Sequence, residues 1–237
     1  MSAERMTTSN RTTATADPRP GWPEIAIGLG VALAMLAATP LVVLVSPDDA
    51  ILTGFVLTTW SVVVAFGGFL AAFLIRRRGL AAFGVRRAGW RWIVAAIPLG
   101  LLAFGVKGLV NMAVIAAGFA DDAQSPYYDT ASGGILPLIA TLVTLSLLVP
   151  IGEEFLFRGV LMRGLLRYGP VLAVVVSTVV FALFHGINLA LPTALVFGLF
   201  AAEVARRSGS VWPAVIMHVI NNLALPVFVL LGGGANA

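Results

Sequence analysis

The chain has 237 residues, of which 59% are hydrophobic and only 11% are charged. Soluble domains carry about 25% charged residues, so this composition predicts an integral membrane protein. The chain has no cysteine, which excludes disulfides, thiolate zinc sites and a cysteine nucleophile. In a membrane protein the sign of the net charge, here +4, mostly reflects topology and does not by itself indicate a nucleic-acid partner. We also find no basic, aromatic-interleaved segment that would bind DNA or RNA.

Apolar segments long enough to cross a hydrocarbon core of about 30 Å predict an all-α, polytopic bundle of about seven membrane helices. Residues 1–23 are rich in Thr, Ser, Ala and Pro and are expected to form a disordered tail. Residues 24–134 are expected to hold three helices, 135–231 a four-helix core and 232–237 a short tail. The predicted spans are 25–45, 51–75, 92–117, 135–167, 171–187, 191–204 and 211–231.

The charged residues between the spans divide by sign. Basic residues fall at one end of the predicted bundle, namely Arg76, Arg77, Arg78, Arg86, Arg87, Arg91, Arg163, Arg167, Arg206 and Arg207. Acidic residues fall at the other end, namely Asp48, Asp49, Asp121, Asp122 and Asp129. Under the positive-inside rule, this pattern predicts a multi-pass cell-membrane protein with a cytoplasmic N-terminus.

Few ionisable residues interrupt the apolar spans of the second half of the chain. Each costs about 2.5–3.5 kcal/mol on insertion scales, so such residues usually have a function. Glu154 and Arg158 are four residues apart and can pair on one helix face. Glu153 lies about 100° further round the helix, which predicts a different role for it. The other two are His185 and His218, the only histidines of the chain.

Two further pairs repeat the spacing of four residues. Phe181 precedes His185 by four, so its ring can pack under the imidazole. His218 precedes Asn222 by four, so both lie on one face of the last helix.

Distances along the predicted helices bring these groups to one depth. Glu153 lies 16 residues before the turn at Gly169, and His185 lies 16 residues after it. At 1.5 Å per residue, both are about 24 Å from that turn. His218 lies 9 residues beyond the turn at Gly209, or about 14 Å, and overlaps within the slack that helix tilt allows. The side chains expected to converge are Glu153, His185, His218 and Asn222.

The chemistry of this set favours hydrolysis of an acyl bond. A carboxylate beside an imidazole can activate water, and a second histidine with an asparagine can stabilise an oxyanion. Two histidines and one carboxylate, here Glu153, His185 and His218, would also suit a catalytic zinc with an open position. Both routes stay open at the level of the residues.

At these positions the chain resembles the CPBP family of intramembrane proteases, also known as the CAAX protease and bacteriocin-processing, or Abi, family. The resemblance covers roughly residues 135–231, and the first three helices match only as hydrophobic spans. The three motifs that carry it are Glu153-Glu154-x-x-x-Arg158, Phe181-x-x-x-His185 and His218-x-x-x-Asn222.

The resemblance implies an intramembrane endopeptidase acting on a membrane-associated peptide or protein. It implies that Glu153 and His185 activate water and that His218 and Asn222 serve the oxyanion. It gives supporting roles to Glu154, Arg158 and Phe181. Members are commonly labelled metalloproteases, so a divalent metal such as zinc is an open part of this interpretation. The type member removes the last three residues of prenylated CAAX proteins, and nothing in this sequence indicates that substrate.

Two other functions fit the same residues. A non-catalytic immunity or scaffold protein could use the polar cluster only to specify packing. A proton-coupled transporter could use intramembrane Glu and His as a relay, although we see no matching pair of broken helices. Lys107, in an apolar span, is expected to snorkel toward the interface.

Overall fold

The structure is a computed structural model that describes residues 19–119 and 125–233. Throughout this part of the chain the regular structure is helical, which confirms the predicted all-α, polytopic bundle. Of the disordered tail predicted at 1–23, residues 1–18 lie outside the described residues, whereas Trp22 and Pro23 already belong to the first helix. Asp121, Asp122 and the end of the chain after residue 233 also lie outside the described residues.

All seven predicted spans are helical. The long helix, Ile135–Tyr168, is continuous but changes its winding along its length. Its α-helical parts are α6 (Ile135–Val143), α7 (Val149–Glu153) and α8 (Arg163–Leu165), and its widened π-helical parts are Thr144–Leu148 and Glu154–Met162. The α-helices are α1 (Trp22–Ala37), α2 (Thr39–Leu44), α3 (Ala50–Arg76), α4 (Trp90–Ala116), α5 (Ser125–Ser132), α6 (Ile135–Val143), α7 (Val149–Glu153), α8 (Arg163–Leu165), α9 (Pro170–Phe184), α10 (Ala190–Ser208), α11 (Trp212–Asn222) and α12 (Ala224–Phe228).

Five helices of the described chain are long and apolar enough to cross a membrane: Trp22–Leu44, α3, α4, the long helix and Trp212–Gly232. The other two predicted spans differ from these. α9 is apolar but has only 15 residues. α10 has 19 residues and ends in the charged residues Glu203, Arg206 and Arg207. α9 and α10 form a hairpin whose arms are shorter than α3 and α4.

The ends of the helices follow the turn residues of the sequence. The break between α1 and α2 falls at Ala38, two residues before Pro40, and a proline inside a helix is a usual cause of such a kink. Gly209 ends α10 with a left-handed φ of 67°, a conformation that glycine adopts without steric cost. One helix was not predicted: α5 lies in the segment between α4 and the long helix that the sequence indicated to be a loop.

The arginines meet at one end of the bundle, which we call the arginine end. Arg86 donates to the Gly209 carbonyl at 2.7 Å, and Arg163 donates to the Ala82 carbonyl at 3.0 Å. Near the start of α1, the buried Glu24 accepts from Arg78 at 2.6 Å. The start of α1 and the ends of α3 and α10 therefore lie on one side, as the charge pattern predicted.

α1 and α3 cross closely because small residues face each other. A Cβ placed on Gly68 of α3 would lie 2.8 Å from the Ala32 Cβ and 2.8 Å from the Gly28 carbonyl oxygen. Contact of this kind between membrane helices relies on van der Waals packing of small side chains. A larger residue at Gly68 must therefore push the two helices apart.

We expect Gly68→Ala to destabilise the protein by about 1–3 kcal/mol, the usual effect of overpacking a tight contact. Thermal unfolding of the detergent-solubilised protein would measure this. The matched control is Gly105→Ala on α4, where an added Cβ meets nothing within 4 Å. Equal unfolding temperatures for the two variants would show that the crossing is looser than described.

Candidate active site

The polar site begins where the long helix widens. The π-helical part Glu154–Met162 is buried along its whole length, and Glu153 is the last residue of α7 before it. A π-helix closes i→i+5 hydrogen bonds and occurs frequently at functional sites. The wider winding changes the angle around the helix axis between successive side chains. The angle between Glu153 and Glu154 can therefore differ from the 100° of an α-helix.

Glu154 and Arg158 form a fully buried ion pair. Arg158 Nε lies 3.2 Å from Glu154 Oε2, and neither side chain is exposed. The guanidinium also lies over the ring of Phe181, with Cζ 4.4 Å from the ring centroid, and Nη2 donates to the Gly198 carbonyl at 3.3 Å. Two opposite charges and an aromatic face thus compensate one another where no water reaches them.

His218 lies between the two carboxylates. Its Nδ1 donates to Glu154 Oε1 at 2.9 Å, and its Nε2 lies 3.6 Å from Glu153 Oε2. The ring of Phe197 packs against it at a centroid distance of 4.5 Å. A carboxylate on one ring nitrogen fixes the orientation of an imidazole and holds the proton on that nitrogen. Glu154 therefore presents the Nε2 side of His218 to Glu153.

Glu153 is the less constrained of the two carboxylates. Its side chain is 16% exposed, whereas that of Glu154 is fully buried. Glu153 Oε2 has no hydrogen-bond partner among the described residues, and its distance to His218 is too long for a direct hydrogen bond. A carboxylate oxygen in this position must either be protonated or accept a hydrogen bond from a water molecule.

His185 lies beside this cluster rather than within it. It follows directly on α9, where its Nδ1 is 3.0 Å from the Phe181 carbonyl oxygen and its ring packs on Phe181 at 4.7 Å. No hydrogen bond or ion pair joins His185 to Glu153 among the described contacts. Lys107 of α4 lies within electrostatic range of His185. The two predicted water-activating residues are therefore not in direct contact.

Asn222 anchors the last helix to the long helix. Its Nδ2 donates to the Leu145 carbonyl at 3.0 Å, and Ser146 Oγ donates to the Asn222 carbonyl at 3.0 Å. Asn221 Nδ2 donates to Asn222 Oδ1 at 3.0 Å. In this arrangement the Asn222 amide contacts backbone, so its expected contribution to an oxyanion site stays a prediction.

The residues expected to bind a metal are not arranged as a ligand set. Within the described parts of the chain, no group of three His, Asp or Glu side chains is placed to hold an ion. Of the three expected ligands Glu153, His185 and His218, the last faces a carboxylate with each ring nitrogen. The arrangement does not fit a zinc centre, and we derive no step through a metal.

Tyr127 of α5 is a neighbour of the site that the sequence did not indicate. Its phenol hydrogen-bonds with Ser61 of α3. Burial raises the pKa of Tyr127, the hydrogen bond opposes this, and the nearby charge of Glu153 raises the pKa further. The start Ser125-Pro126 is a sequence signal for a helix that could have located α5.

α5 can approach α3 because Gly54 has no side chain. A Cβ there would lie only 2.0 Å from Thr130 Oγ1 and 2.1 Å from the Pro126 carbonyl oxygen. Thr130 in turn donates to the Ile51 carbonyl at 3.0 Å. These contacts hold the short helix, and with it Tyr127, against the bundle.

Fold and site together define a class: a multi-pass membrane protein whose helices enclose two carboxylates, an arginine and a histidine. Residues 135–224 match the family model described as Rce1-like, type II CAAX prenyl endopeptidase Rce1-like. This match agrees with the CPBP resemblance that the three motifs carry. Comparison with curated proteins gives no match, and comparison with solved structures gives none either.

Breaking the buried ion pair should be costly. We expect Arg158→Ala to destabilise the protein by about 3–5 kcal/mol, because Glu154 would remain as an uncompensated buried charge. Adding Glu154→Gln to this variant should recover part of the loss. Thermal unfolding in detergent would measure both effects.

The control for this pair is Arg206→Ala, since Arg206 pairs with Glu203 at a partly exposed position. Such pairs contribute about 0–1 kcal/mol. If Arg158→Ala were no more destabilising than Arg206→Ala, the ion pair would not be buried as described.

Proposed function

We propose that this protein is an intramembrane endopeptidase that hydrolyses a peptide bond of a membrane-associated substrate with Glu153 as the general base. The observation that carries the proposal is the difference between the two adjacent carboxylates. Glu154 is held by Arg158 at 3.2 Å and by His218 at 2.9 Å, whereas Glu153 has only the Nε2 of His218 at 3.6 Å and stays 16% exposed. The family match at residues 135–224 supports the same reaction class.

The proposed reaction needs one water molecule beside Glu153. Glu153 accepts a proton from this water as its oxygen forms a bond to the carbonyl carbon of the substrate. The tetrahedral intermediate then collapses, the C–N bond breaks, and the proton passes from Glu153 to the leaving amine. The products are a carboxyl group and an amine, so one water is consumed for each bond cleaved.

The placement of the two histidines divides their tasks. His218 is held by Glu154 with Nε2 toward Glu153, so it can steady the catalytic carboxylate and share its proton. His185 stands on Phe181 at the edge of the cluster, where it can orient the water or the substrate carbonyl. His218 thus joins the proton-handling role that the family resemblance gives to Glu153 and His185.

We expect Glu153→Gln to lower peptidase activity by about 10²–10⁴-fold, the usual contribution of a general base. Activity would be measured with the purified protein in proteoliposomes against a membrane-anchored reporter peptide library. The control is Glu203→Gln, because Glu203 is paired with Arg206 outside the cluster. Full activity of a folded Glu153→Gln protein would overturn the proposal and favour a scaffold or immunity role.

The described geometry also predicts that activity does not depend on a bound metal, because the three expected ligands do not form a set. Cleavage by protein treated with a strong zinc chelator and then dialysed should equal that of untreated protein. Metal content would be measured on the same samples. Activity lost on chelation and restored by zinc would instead require Glu153, His185 and His218 to close around the ion.

A further inference from the structure

The first arm of the α9–α10 hairpin is too short to cross a membrane, and the second arm, α10, with 19 residues and a length of about 28 Å, only just reaches across. From Pro170 to Phe184, α9 has 15 residues, which span about 22 Å at 1.5 Å per residue. The hydrocarbon core is about 30 Å thick, and α3, with 27 residues, is about 40 Å long. Both arms of the hairpin start from the arginine end, so its tip stops below the opposite membrane surface.

The backbone turn at the hairpin tip has polar groups that are hydrogen-bonded within the turn. Gly186 takes a left-handed φ of 84°. Asn188 Nδ2 then donates to the His185 carbonyl at 2.8 Å, while Asn188 Oδ1 accepts from the Ala190 N–H at 2.8 Å. Irregular backbone is tolerated at membrane depth only where its polar groups are satisfied or meet water. At the tip, Ile187 is 89% exposed.

The polar cluster is closed toward the arginine end and open toward the tip. On the closed side, the segment Glu154–Met162 is entirely buried, and Phe157, Phe181 and Phe197 pack across it. On the open side, Glu153 is 16% exposed. His185, one residue beyond α9, is also partly exposed. We therefore expect water to reach the unpartnered Glu153 oxygen from the side of the hairpin tip.

We propose that the site opens to the membrane face opposite the arginine end, and that its substrate is a peptide segment presented at the non-cytoplasmic leaflet. The positive-inside rule makes the arginine end cytoplasmic. The cleavage step of this inference rests on the proposed function, whereas the direction of opening rests on the fold. α5, whose Tyr127 lies within electrostatic range of Glu153, approaches the bundle from the same non-cytoplasmic side.

The absence of cysteine from the chain makes the direction of opening directly testable. Single cysteines would be introduced by Ile187→Cys at the tip, Asp48→Cys in the exposed α2–α3 turn and Arg87→Cys at the exposed arginine end. Right-side-out membrane vesicles would be treated with a membrane-impermeant maleimide, with and without detergent. Each variant would first be checked for full-length protein and normal unfolding temperature.

We expect Ile187→Cys to be labelled in intact vesicles to the same extent as Asp48→Cys, and Arg87→Cys only after detergent is added. Labelling of Ile187→Cys only after detergent, together with Arg87→Cys, would place the opening on the cytoplasmic side. Labelling of Ile187→Cys in neither condition would show that the tip lies in lipid without a water-filled recess. Either result would overturn the inference.

This test is independent of catalysis, because labelling requires no substrate. A failed labelling result leaves the role of Glu153 intact, and a fully active Glu153→Gln variant leaves the direction of opening intact. If Ile187→Cys is labelled in intact vesicles and Glu153→Gln is inactive, a reporter peptide exposed only at the outer face of right-side-out vesicles should be cleaved. The same peptide confined to the inner face should not be cleaved.

Discussion

The structure depends on keeping Glu154 and Arg158 ionised and together inside a membrane. Neither side chain is exposed, so the pair must satisfy its own charge. It does so with His218 on the acid and the ring of Phe181 and the carbonyl of Gly198 on the guanidinium. Removing water from such a pair is expensive, and these contacts offset part of the cost, while Glu154 Oε2 and Arg158 Nη1 have no hydrogen-bond partner among the described residues. The contacts draw together the long helix, α9, α10 and α11.

The same arrangement separates the two adjacent glutamates. Glu154 serves the ion pair and orients His218, whereas Glu153 lies outside the ion pair and is partly exposed. Aromatic side chains pack on the side of the arginine end, and Glu153 is partly exposed on the other side. This arrangement would let water reach Glu153 without reaching the buried ion pair. Stability and reactivity are thus assigned to neighbouring residues of one helix.

Much of this arrangement could be predicted from the sequence. Long uncharged runs locate the helices, and arginines gather where those runs end. Arg163, nine residues after Glu154, donates to the carbonyl of Gly209, which lies nine residues before His218. Equal counts along the two helices from this contact bring Glu154 and His218 to a similar depth. The same arithmetic places His185 at the depth of Glu153, and this stays a prediction because no described contact joins the two. The arithmetic assumed regular α-helices, whereas the long helix widens at Glu154–Met162, so rotation and rise no longer follow the α-helical pattern. Tyr127 was missed because its short helix carries no hydrophobic period.

The central claim is that the His218 imidazole lies between two carboxylates, and nitrogen NMR can test it directly. The chain has only two histidines, so a His185→Gln variant labelled with ¹⁵N-histidine reports on His218 alone. The account predicts that Glu154→Gln shifts the Nδ1 resonance and that Glu153→Gln shifts chiefly the Nε2 resonance. Unchanged resonances in both variants would show that His218 does not lie between the carboxylates, and would contradict the account.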